Sequence, residues 1–413
     1  MDWAGREVPV LGAGMSGKAA AALLRSQNAR PILFDEKGRE GAHLTFDPKA
    51  KEWQWGVVSP GFHPDHSWRK AARESGVELI AEIQLAASFW PGKLICITGT
   101  NGKTTLTQLL ESALLANGER ALACGNIGTP LSSIVEEGRN EDWAVCETSS
   151  FQLHDWVDPH PDFAFWTNFA EDHLDWHSSL AGYFKAKWKL VENAPVVYAP
   201  ASLQETAYAF GVVLPKDIRW VSGSPSNGGG GQFARHPFSQ LYGLAEAFWL
   251  DTGRDLAVLR AASDSFSPSA HRQEDLGVID GVRFINDSKA TNFHAVLASC
   301  EEADPPIYWI GGGLSKGGDL ERFSGDLAKR CESGYVFGSI GPELGQKLED
   351  AGLPVYVTGT LENAFSSALE DSRGGGTILL SPGFASFDQF AGYSERGDKF
   401  RELVDGLRTG SQS

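Results

Sequence analysis

The sequence has no long apolar run, no excess of positive charge and no basic leader. No stretch of its 413 residues approaches the roughly 18 uncharged apolar residues that cross a membrane. Lys and Arg number 36 against 53 Asp and Glu, and the net charge of −17 excludes a protein that coats nucleic acid or an anionic membrane. Asp2 stands where a signal peptide carries bases. We therefore expect a cytoplasmic protein with no nucleic-acid partner and no membrane insertion.

Cysteines are few, odd in number and widely spaced. The absence of a CxxC pair among the five argues against a disulfide framework and against a zinc site. Three of them stand in the apolar, strand-like runs LICIT, ALACG and WAVCE, where a buried free thiol is the ordinary occupant. The five are Cys96, Cys124, Cys146, Cys300 and Cys331. We expect them to be free thiols.

Length and element pattern together predict three domains of one class. At about 150 residues per domain, 413 residues correspond to roughly three. Strand-like runs alternate with helical ones, which is typical of α/β domains, each a mostly parallel sheet with flanking helices. Breaks at residues 89–92 and 263–272 divide these runs. The predicted domains are residues 1–90, 91–266 and 267–413, and the alternation in the last one predicts a third parallel sheet.

The first domain opens with a glycine-rich turn between a strand and a helix. Gly12, Gly14 and Gly17 have the spacing that lets a diphosphate approach a helix N-terminus. Asp35 ends the second strand, where an acid can bond a ribose or a base edge. NAD or FAD is one interpretation, and a turn kept only for helix–strand packing is another. The turn indicates a diphosphate-bearing nucleotide without identifying it.

A more specific motif, TGTNGKTT at residues 98–105, follows a buried strand and opens a helix. Backbone N–H groups of such a loop cradle phosphates, the Lys103 ammonium reaches the β- and γ-phosphates, and a threonine hydroxyl ligates Mg²⁺. Ile97 stands where the complete Walker pattern has its leading glycine, and a lysine merely exposed at a helix start is the alternative. We predict an ATP site made by Gly99, Thr100, Asn101, Gly102, Lys103, Thr104 and Thr105.

Polar clusters also follow later strands. Glu147 ends the strand WAVC, where a carboxylate either holds Mg²⁺ or is a solvated acid. Residues 166–177, WTNFAEDHLDWH, suggest metal or phosphate chemistry, although a loop histidine is more often solvated or capping. Lys187 lies in a helical stretch, and a surface lysine is its default interpretation. Residues 270–272, 286–292, 311–319 and 380–390 follow or end strands of one sheet, so together they predict one polar crevice.

In this order and spacing, TGTNGKTT, ETSSFQL, NFAEDHLDWH, AHR, NDSKATN and LSPGFASFDQF resemble the Mur ligase family over essentially the whole chain. Within that family, the last of these runs is similar to that of the members that add D-glutamate. The resemblance implies a Rossmann-like N-terminal domain, a P-loop ATPase-like central domain and a Rossmann-like C-terminal domain. It also implies that the first domain binds the UDP part of the substrate rather than NAD, that the second binds ATP, and that the third closes on ATP and binds D-glutamate.

The resemblance implies roles for individual residues. Those on the uridine diphosphate are Met15, Ser16 and Asp35, with Ser59 nearby. Those along the muramoyl-alanine path are Asn126, Ser149 and Gln152. Those for Mg²⁺ are Thr104 and Glu147 on one ion and His173 with Lys187 near a second. Those on the ATP phosphates or the intermediate are Lys103, Arg272 and Lys289, with Asp287 supporting the nucleotide. Those that receive D-glutamate are Thr291, Lys316, Ser386 and Tyr393.

The implied reaction is an ATP-dependent amide ligation through an acyl phosphate. Its catalytic residues are Lys103, His173, Lys187, Arg272 and Lys289. In the family the lysine that matches Lys187 is carbamylated, which converts a metal-repelling ammonium into a carboxylate-like ligand. The implied small-molecule substrates are UDP-N-acetylmuramoyl-L-alanine, D-glutamate and ATP with two Mg²⁺, and we expect a monomer.

Two departures from the family pattern leave alternatives open. Tyr393 replaces a common Phe, and residues 236–240, HPFSQ, replace an H-N-x-x-N run, so one asparagine contact to the nucleotide is predicted to be lost. The nearest rival is another ligase of the same fold, such as a folylpolyglutamate synthase. A nicotinamide-dependent oxidoreductase leaves Lys103 unexplained, and a non-catalytic nucleotide-binding regulator finds support only in the altered 236–240 run.

Overall fold

A computed structural model describes residues 2–222, 229–267 and 269–410 of the chain. The chain forms two compact units. The first comprises Met1–Phe169, Trp176–Ala234 and Phe238–Phe266, and the second comprises Ala170–Asp175, Arg235–Pro237 and Ser267–Ser413. Three sheets follow one another along the sequence, two in the first unit and one in the second. The α/β fold class with three mostly parallel sheets is confirmed, whereas the predicted boundaries after residues 90 and 266 stay predictions.

The first sheet is parallel throughout, in the order β2-β1-β3-β4. Its strands are β1 (Glu7–Leu11), β2 (Arg30–Phe34), β3 (Trp55–Val58) and β4 (Glu78–Ala81). Its helices are α1 (Met15–Ser26), α2 (Ser67–Glu74) and α3 (Glu82–Ala87). Strand β1 lies between two neighbours, and the carboxyl ends of inner parallel strands are where ligands bind in such sheets. The turn after β1 is therefore well placed for a ligand.

The second sheet has six parallel strands in the order β10-β9-β8-β5-β7-β6. Its strands are β5 (Lys93–Thr98), β6 (Ala121–Gly125), β7 (Trp143–Glu147), β8 (Phe163–Trp166), β9 (Val197–Pro200) and β10 (Ile218–Val221). The helices of this stretch are α4 (Lys103–Ala116), α5 (Leu131–Glu136), α6 (Ser150–Asp155), α7 (Leu174–His177), α8 (Leu180–Asn193), α9 (Leu203–Ala209), α10 (Phe238–Asp251) and α11 (Leu256–Asp264), with a 3₁₀ turn at Gly231–Ala234. Strand β5 is buried on both faces, which explains its continuous apolar run.

The third sheet has the order β11-β12-β16-β13-β14-β15. Its strands are β11 (Glu274–Ile279), β12 (Val282–Asn286), β13 (Ile307–Gly312), β14 (Ser333–Phe337), β15 (Val355–Gly359) and β16 (Gly376–Gly383). The helices are α12 (Phe293–Glu302), α13 (Leu320–Ala328), α14 (Gly341–Asp350), α15 (Leu361–Asp371) and α16 (Tyr393–Gly410), with a 3₁₀ turn at Ser372–Gly374. The mostly parallel sheet predicted for this domain is confirmed, with one exception at an edge, where β11 runs antiparallel to β12 after a two-residue turn.

The cysteines lie in the cores of these sheets, and all five are buried free thiols, as predicted. Cys96, Cys146 and Cys124 occupy one row across β5, β7 and β6. Cys300 and Cys331 approach each other in the second unit, with 3.7 Å between their sulfurs. Among the described residues, no helix is long and apolar enough to cross a membrane.

Candidate active site

A cavity of about 320 Å³ opens at the carboxyl ends of β1 and β2. All four residues predicted to contact the uridine diphosphate line it, namely Met15, Ser16, Asp35 and Ser59. The lining adds residues that the sequence did not single out, Glu36, Lys37, Arg39, Phe62 and His66 among them. We refer to this space as the first-sheet cavity. Lys37 and Arg39 bring two cationic side chains to it, which is the kind of charge that binds phosphate groups.

Two of the three glycines of the turn, Gly12 and Gly17, are required by the backbone geometry at this cavity. Gly12 has a φ of +104°, which side-chain-bearing residues rarely adopt. A Cβ at Gly17 would lie 1.8 Å from the carbonyl oxygen of Gly12, so only glycine lets helix α1 begin this close to the turn. Met15 is 71% exposed at the first position of α1. The helix N-terminus is thus accessible to an anion.

Asp35 holds this turn together from inside the protein. Its carboxylate accepts the N–H of Ala13 at 2.8 Å, the N–H of Lys37 at 2.9 Å and Nη1 of Arg39 at 2.7 Å. Burial alone raises the pKa of Asp35, and these donors outweigh burial, so its pKa lies below the usual value. Asp35 is therefore ionised at neutral pH and shapes the cavity through the turn as well as lining it.

A larger cavity, of about 730 Å³, opens at the opposite, amino edge of the same sheet. Its charged side chains already contact protein groups, Lys51 with Glu7 at 2.5 Å and Arg6 with Gln54 at 2.9 Å. None of the predicted functional residues lines it. The predicted functional residues of this domain thus line the smaller cavity at the carboxyl ends and not the larger one.

The TGTNGKTT motif forms the turn between β5 and α4 that its sequence predicts. Gly99 and Gly102 have φ values of +143° and +80°. The Lys103 ammonium folds back on the loop and donates to the carbonyl oxygens of Gly99 at 3.0 Å and Thr100 at 2.8 Å. The N-terminus of α4 lies directly behind the loop, where the first N–H groups of a helix lack intrahelical acceptors.

Two N–H groups of this loop bond to the protein rather than projecting toward a ligand. Thr100 N donates to the carbonyl oxygen of Asn168 at 3.1 Å. Asn101 N donates to the side-chain Oδ1 of the same Asn168 at 2.8 Å. Asn168 stands in the NFAEDHLDWH run, which the sequence associated with metal or phosphate chemistry. Its observed role is to brace the phosphate loop from the neighbouring strand end.

Glu147, Thr104 and Asn126 converge behind the loop. Thr104 Oγ1 donates to one carboxylate oxygen of Glu147 at 2.6 Å, and Asn126 Nδ2 donates to the other at 2.8 Å. A threonine hydroxyl and a carboxylate are hard oxygen ligands, and Mg²⁺ in phosphate sites takes one or two such protein ligands while keeping several waters. This donor pair therefore fits Mg²⁺. Within the described residues, no cluster of three or more His, Cys, Asp and Glu could hold a metal alone.

Lys187 is buried, so its default interpretation as a surface helix lysine is wrong. Only 1% of the residue is exposed, and its ammonium donates to the Gly99 carbonyl oxygen at 2.7 Å. It also lies 4.5 Å from the ring centre of Tyr183, whose hydroxyl bonds Thr100 Oγ1 at 3.2 Å. Helix α8 thus brings a lysine and a tyrosine onto the phosphate loop. The sequence contains no local signal for the role of Tyr183.

Ser149 and Gln152 form a reciprocal cap at the start of α6. Gln152 N donates to Ser149 Oγ at 3.3 Å, while Ser149 N donates to Gln152 Oε1 at 2.9 Å. The sequence S-S-F-Q carries this capping-box signature, which the sequence analysis overlooked. Both residues lie just beyond Glu147, so the cap fixes where the predicted muramoyl-alanine path begins.

In the second unit, Arg272 from the cluster 270–272 lies close enough to Asp287 from the cluster 286–292 to act on its charge. Asp287 accepts hydrogen bonds from the hydroxyls of Ser299 and Ser381, the latter at 3.2 Å, and from Gln273 N at 3.1 Å. Burial raises the pKa of Asp287 to about 6, although these donors and Arg272 oppose the shift. Among the described residues, the buried Nε of Arg272 has no hydrogen-bond partner, as expected of a group kept for an anion.

Lys316 forms an ion pair with Asp172 in the same unit. The ammonium lies 2.9 Å from Asp172 Oδ1, and Asn292 Nδ2 donates to the other oxygen at 3.0 Å. His173 follows with a φ of +54° and donates its N–H to Asp172 at 2.9 Å. Thr291, Lys316 and His173 line one cavity of about 20 Å³, which is room for about one water. The predicted D-glutamate residues Ser386 and Tyr393 are not part of that lining.

Arg396 is a residue that the sequence analysis missed. It is fully buried in α16 and donates to Ser288 Oγ at 3.0 Å, to the Ser288 carbonyl at 2.8 Å and to the Phe384 carbonyl at 3.2 Å. Ser288 Oγ in turn donates to the Tyr393 carbonyl at 2.8 Å. Arg396 therefore fixes the loops that carry the predicted Lys289, Thr291 and Ser386. Burial lowers its pKa to about 9.

Comparison with known proteins adds family and fold. The profile described as the Mur ligase middle domain matches residues 97–205. The UDP-N-acetylmuramoylalanine–D-glutamate ligase of Gloeobacter violaceus is 34% identical over an alignment of 448 positions, gaps included, that covers 97% of this chain and 99% of that protein.

Solved structures show the same fold at low identity. UDP-N-acetylmuramate-alanine ligase of Thermotoga maritima has a TM-score of 0.58 at 16% identity, covering 98% of this chain and 99% of its own. MurF ligase of Thermotoga maritima in complex with ADP has a TM-score of 0.59 at 14% identity, covering 88% and 97%. The likeness extends through all three sheets.

Proposed function

Because the chain belongs to the family of UDP-N-acetylmuramoylalanine–D-glutamate ligases, we propose that it joins D-glutamate to UDP-N-acetylmuramoyl-L-alanine and converts ATP to ADP and phosphate. The observation that carries the proposal is the phosphate loop with Lys103, backed by the Thr104–Glu147 oxygen pair at 2.6 Å. An oxidoreductase has no use for that arrangement. In this proposal the peptidoglycan precursor is extended by one amino acid.

The chemistry must activate a poor acyl donor. A free carboxylate does not acylate an amine, because its oxygen is a poor leaving group. An oxygen of the alanyl carboxylate attacks the γ-phosphorus of ATP, which breaks the bond to ADP and forms an acyl phosphate. The amine of D-glutamate then attacks the acyl carbon and loses a proton, and phosphate leaves with the original carboxylate oxygen. The protein lowers the barrier mainly by offsetting the negative charge on the transferred phosphoryl group.

The ATP side of this reaction falls to residues of the first unit. Lys103 exchanges its bonds to the carbonyls of Gly99 and Thr100 for phosphate oxygens. Thr104 and Glu147 hold one Mg²⁺, and when bound there the ion neutralises charge on the phosphates and orients them. Asn126 fixes the rotamer of Glu147 through its 2.8 Å bond to the second carboxylate oxygen.

Lys187 is proposed to act after carbamylation, together with His173 near a second Mg²⁺. Its ammonium approaches the Gly99 carbonyl at 2.7 Å, so the side chain already reaches the loop that receives the γ-phosphate. An ammonium repels Mg²⁺, whereas a carbamate is an oxygen ligand. Carbon dioxide adds to the amine nitrogen of a lysine, and loss of a proton completes the carbamate.

The second unit is proposed to supply the remaining cations and the D-glutamate site. Arg272 and Lys289 contact the ATP phosphates or the acyl phosphate, and Asp287 orients this region through its bonds to the protein. Thr291, Lys316, Ser386 and Tyr393 receive D-glutamate. Because the Lys316 ammonium contacts Asp172 at 2.9 Å, a carboxylate of D-glutamate binds by replacing that of Asp172. In this proposal the UDP part of the substrate binds to residues 1–90, ATP to residues 91–266 and D-glutamate to residues 267–413.

The proposal is tested by identifying the product. The purified chain is incubated with ATP, Mg²⁺ and UDP-N-acetylmuramoyl-L-alanine, and with D-glutamate, L-glutamate, L-alanine or meso-diaminopimelate in parallel, followed by mass spectrometry. We expect a ligated product only in the incubation with D-glutamate. A product with another amino acid instead of D-glutamate identifies a different ligase of the fold, and phosphate release without any ligated product contradicts the proposal.

A further inference from the structure

Five aromatic side chains form a cluster that none of the roles above uses, and we call it the aromatic bridge. Its members are His63, Phe151, His154, Trp176 and His177. All five belong to the first unit. They come from three separate segments, and the half-buried Trp176 at the centre contacts each of the other four rings.

Trp176 connects the two ends of the proposed substrate path. On one side its ring centre lies 5.9 Å from that of His63, the residue directly after Phe62 of the first-sheet cavity. On the other side it lies 4.8 Å from Phe151 and 5.0 Å from His154, both on α6. Helix α6 begins at the cap that marks the muramoyl-alanine path. The ring of Trp176 thus contacts both segments.

Resting on the proposed function, we infer that Trp176 is the platform on which the sugar ring of the UDP-linked substrate packs. In that substrate the amino sugar is the part between the diphosphate and the alanyl carboxylate. A ligand that spans from the first-sheet cavity to the start of α6 must therefore pass its sugar along the surface that joins them. The C–H face of a hexose carries partial positive charge and packs favourably on the electron-rich face of an indole.

The rings around Trp176 are held in place by contacts within the protein. Burial and the neighbouring Arg69 lower the pKa of His154 to about 4, so this ring is neutral at pH 7. His177 is buried and its Nε2 lies 2.9 Å from the Ser150 hydroxyl at the start of α6. Phe151 stacks on His177 with an interplanar angle of 10°, which holds the bridge against α6. The indole is consequently fixed before the substrate arrives, and little ordering entropy is lost on binding.

The inference is tested by comparing ligands that differ only in the sugar. Isothermal titration calorimetry gives Kd for UDP and for UDP-N-acetylmuramate on the intact protein and on Trp176→Ala. We expect the Kd of UDP to change less than about twofold and that of UDP-N-acetylmuramate to rise about tenfold. In turnover, KM for the UDP-linked substrate rises by the same factor, while kcat and KM for ATP stay within about threefold.

A matched control is Trp55→Ala, another half-buried tryptophan of the first unit, at the amino end of β3. It should leave the ratio of the two Kd values unchanged. Trp176→Phe keeps an aromatic face and should raise the Kd of UDP-N-acetylmuramate about threefold, which preserves the test if the alanine variant does not fold. An equal loss of affinity for both ligands, or no loss for UDP-N-acetylmuramate, overturns the inference. Failure of the wild-type chain to form the D-glutamyl product would instead overturn the proposed function.

Discussion

The phosphate loop of the first unit and the Lys316 cluster of the second hold their lysines by different means. The Lys103 ammonium donates to two backbone carbonyls, at 3.0 and 2.8 Å. The Lys316 ammonium contacts the buried carboxylate of Asp172 at 2.9 Å. A carbonyl is a neutral dipole, whereas a carboxylate carries a full charge, so the two cations differ in how readily an arriving anion displaces the protein partner.

The difference indicates how each substrate is admitted. A triphosphate gains charge–charge attraction at Lys103 and displaces the neutral carbonyls of Gly99 and Thr100. A carboxylate of D-glutamate at Lys316 exchanges one ion pair for another, so its net gain is small and its binding depends on the remaining contacts. The comparison predicts that replacing Lys103 causes a large loss of turnover. Replacing Lys316 should weaken only the binding of D-glutamate.

The largest effect is expected from Lys103→Ala. Removing the cation on the transferred phosphate should lower kcat by about 10³-fold or more, as measured by phosphate release at saturating substrates. The exposed Lys185→Ala on α8 is the matched control and should leave kcat within about twofold. Near-normal phosphate release by the Lys103 variant would refute the assignment of this loop.

Lys316→Ala should act on D-glutamate alone. Because binding exchanges one ion pair for another, only part of a charge-assisted hydrogen bond of about 1.5–3 kcal/mol is lost, so KM for D-glutamate should rise about tenfold, with KM for ATP unchanged. Steady-state kinetics with each substrate varied in turn measures this. Lys329→Ala, which removes an exposed lysine paired with Asp326 at 3.0 Å, serves as the control. A parallel rise in KM for ATP would mean that Lys316 belongs to the nucleotide site.

Asp287→Asn tests a buried carboxylate of the second unit that has a raised pKa. Burial raises the pKa of Asp287 to about 6, so its ionised form costs stability that is absent below about pH 4 and complete above about pH 6. At about 1.36 kcal/mol per pKa unit, the cost at pH 7.5 is up to about 3 kcal/mol. The Asn variant should therefore melt higher than wild type at pH 7.5 and equally at pH 4, by calorimetry across pH.

The same variant should lose activity, because an amide cannot accept hydrogen bonds on both of its polar groups as the carboxylate does. Asp326→Asn is the control of opposite sign, since a hydrogen bond from Lys329 holds the pKa of this half-buried carboxyl below its usual value. It should show no gain in melting temperature at pH 7.5. A lower melting temperature of Asp287→Asn at that pH would contradict the account of Asp287.

The smallest effect is expected at a third kind of lysine site. The Lys289 ammonium lies 5.4 Å from the ring centre of Tyr393. Tyr393→Phe removes the hydroxyl and keeps the ring face, so kcat and each KM should change less than about twofold. Tyr393→Ala removes the face as well and should raise KM for D-glutamate or ATP several-fold. Equal effects of the two variants would show that the hydroxyl, not the ring, is used.

Local pattern was enough to predict the elements that hold the site. The strand β5, the turn at residues 98–105 and the helix α4 follow from an apolar run, a glycine-rich break and helical periodicity. The four residues assigned to the uridine diphosphate share one cavity, because the carboxyl ends of neighbouring parallel strands meet at one edge. Glu147 and Thr104 come together for the same reason, since β5 and β7 are adjacent.

The features that local sequence patterns did not predict depend on contacts between distant segments. Lys187 looks like any lysine on a helix, and only the packing of α8 against the phosphate loop buries it. Arg396 lies in a charged stretch of α16, yet it is wholly buried because two loops, at Ser288 and Phe384, place carbonyl and hydroxyl oxygens around it. Strand β11 reverses direction through a two-residue turn, and a short strand carries no periodic signal of its direction.

The most direct test of the ligase account follows one oxygen atom. UDP-N-acetylmuramoyl-L-alanine labelled with ¹⁸O in the alanyl carboxylate is turned over with ATP, Mg²⁺ and D-glutamate, and the released phosphate is analysed by mass spectrometry. The account predicts one ¹⁸O atom in each phosphate released, because the carboxylate oxygen that attacks the γ-phosphorus leaves with it. Phosphate released without the label would show that the carboxylate is not activated by phosphorylation, and the account would be wrong.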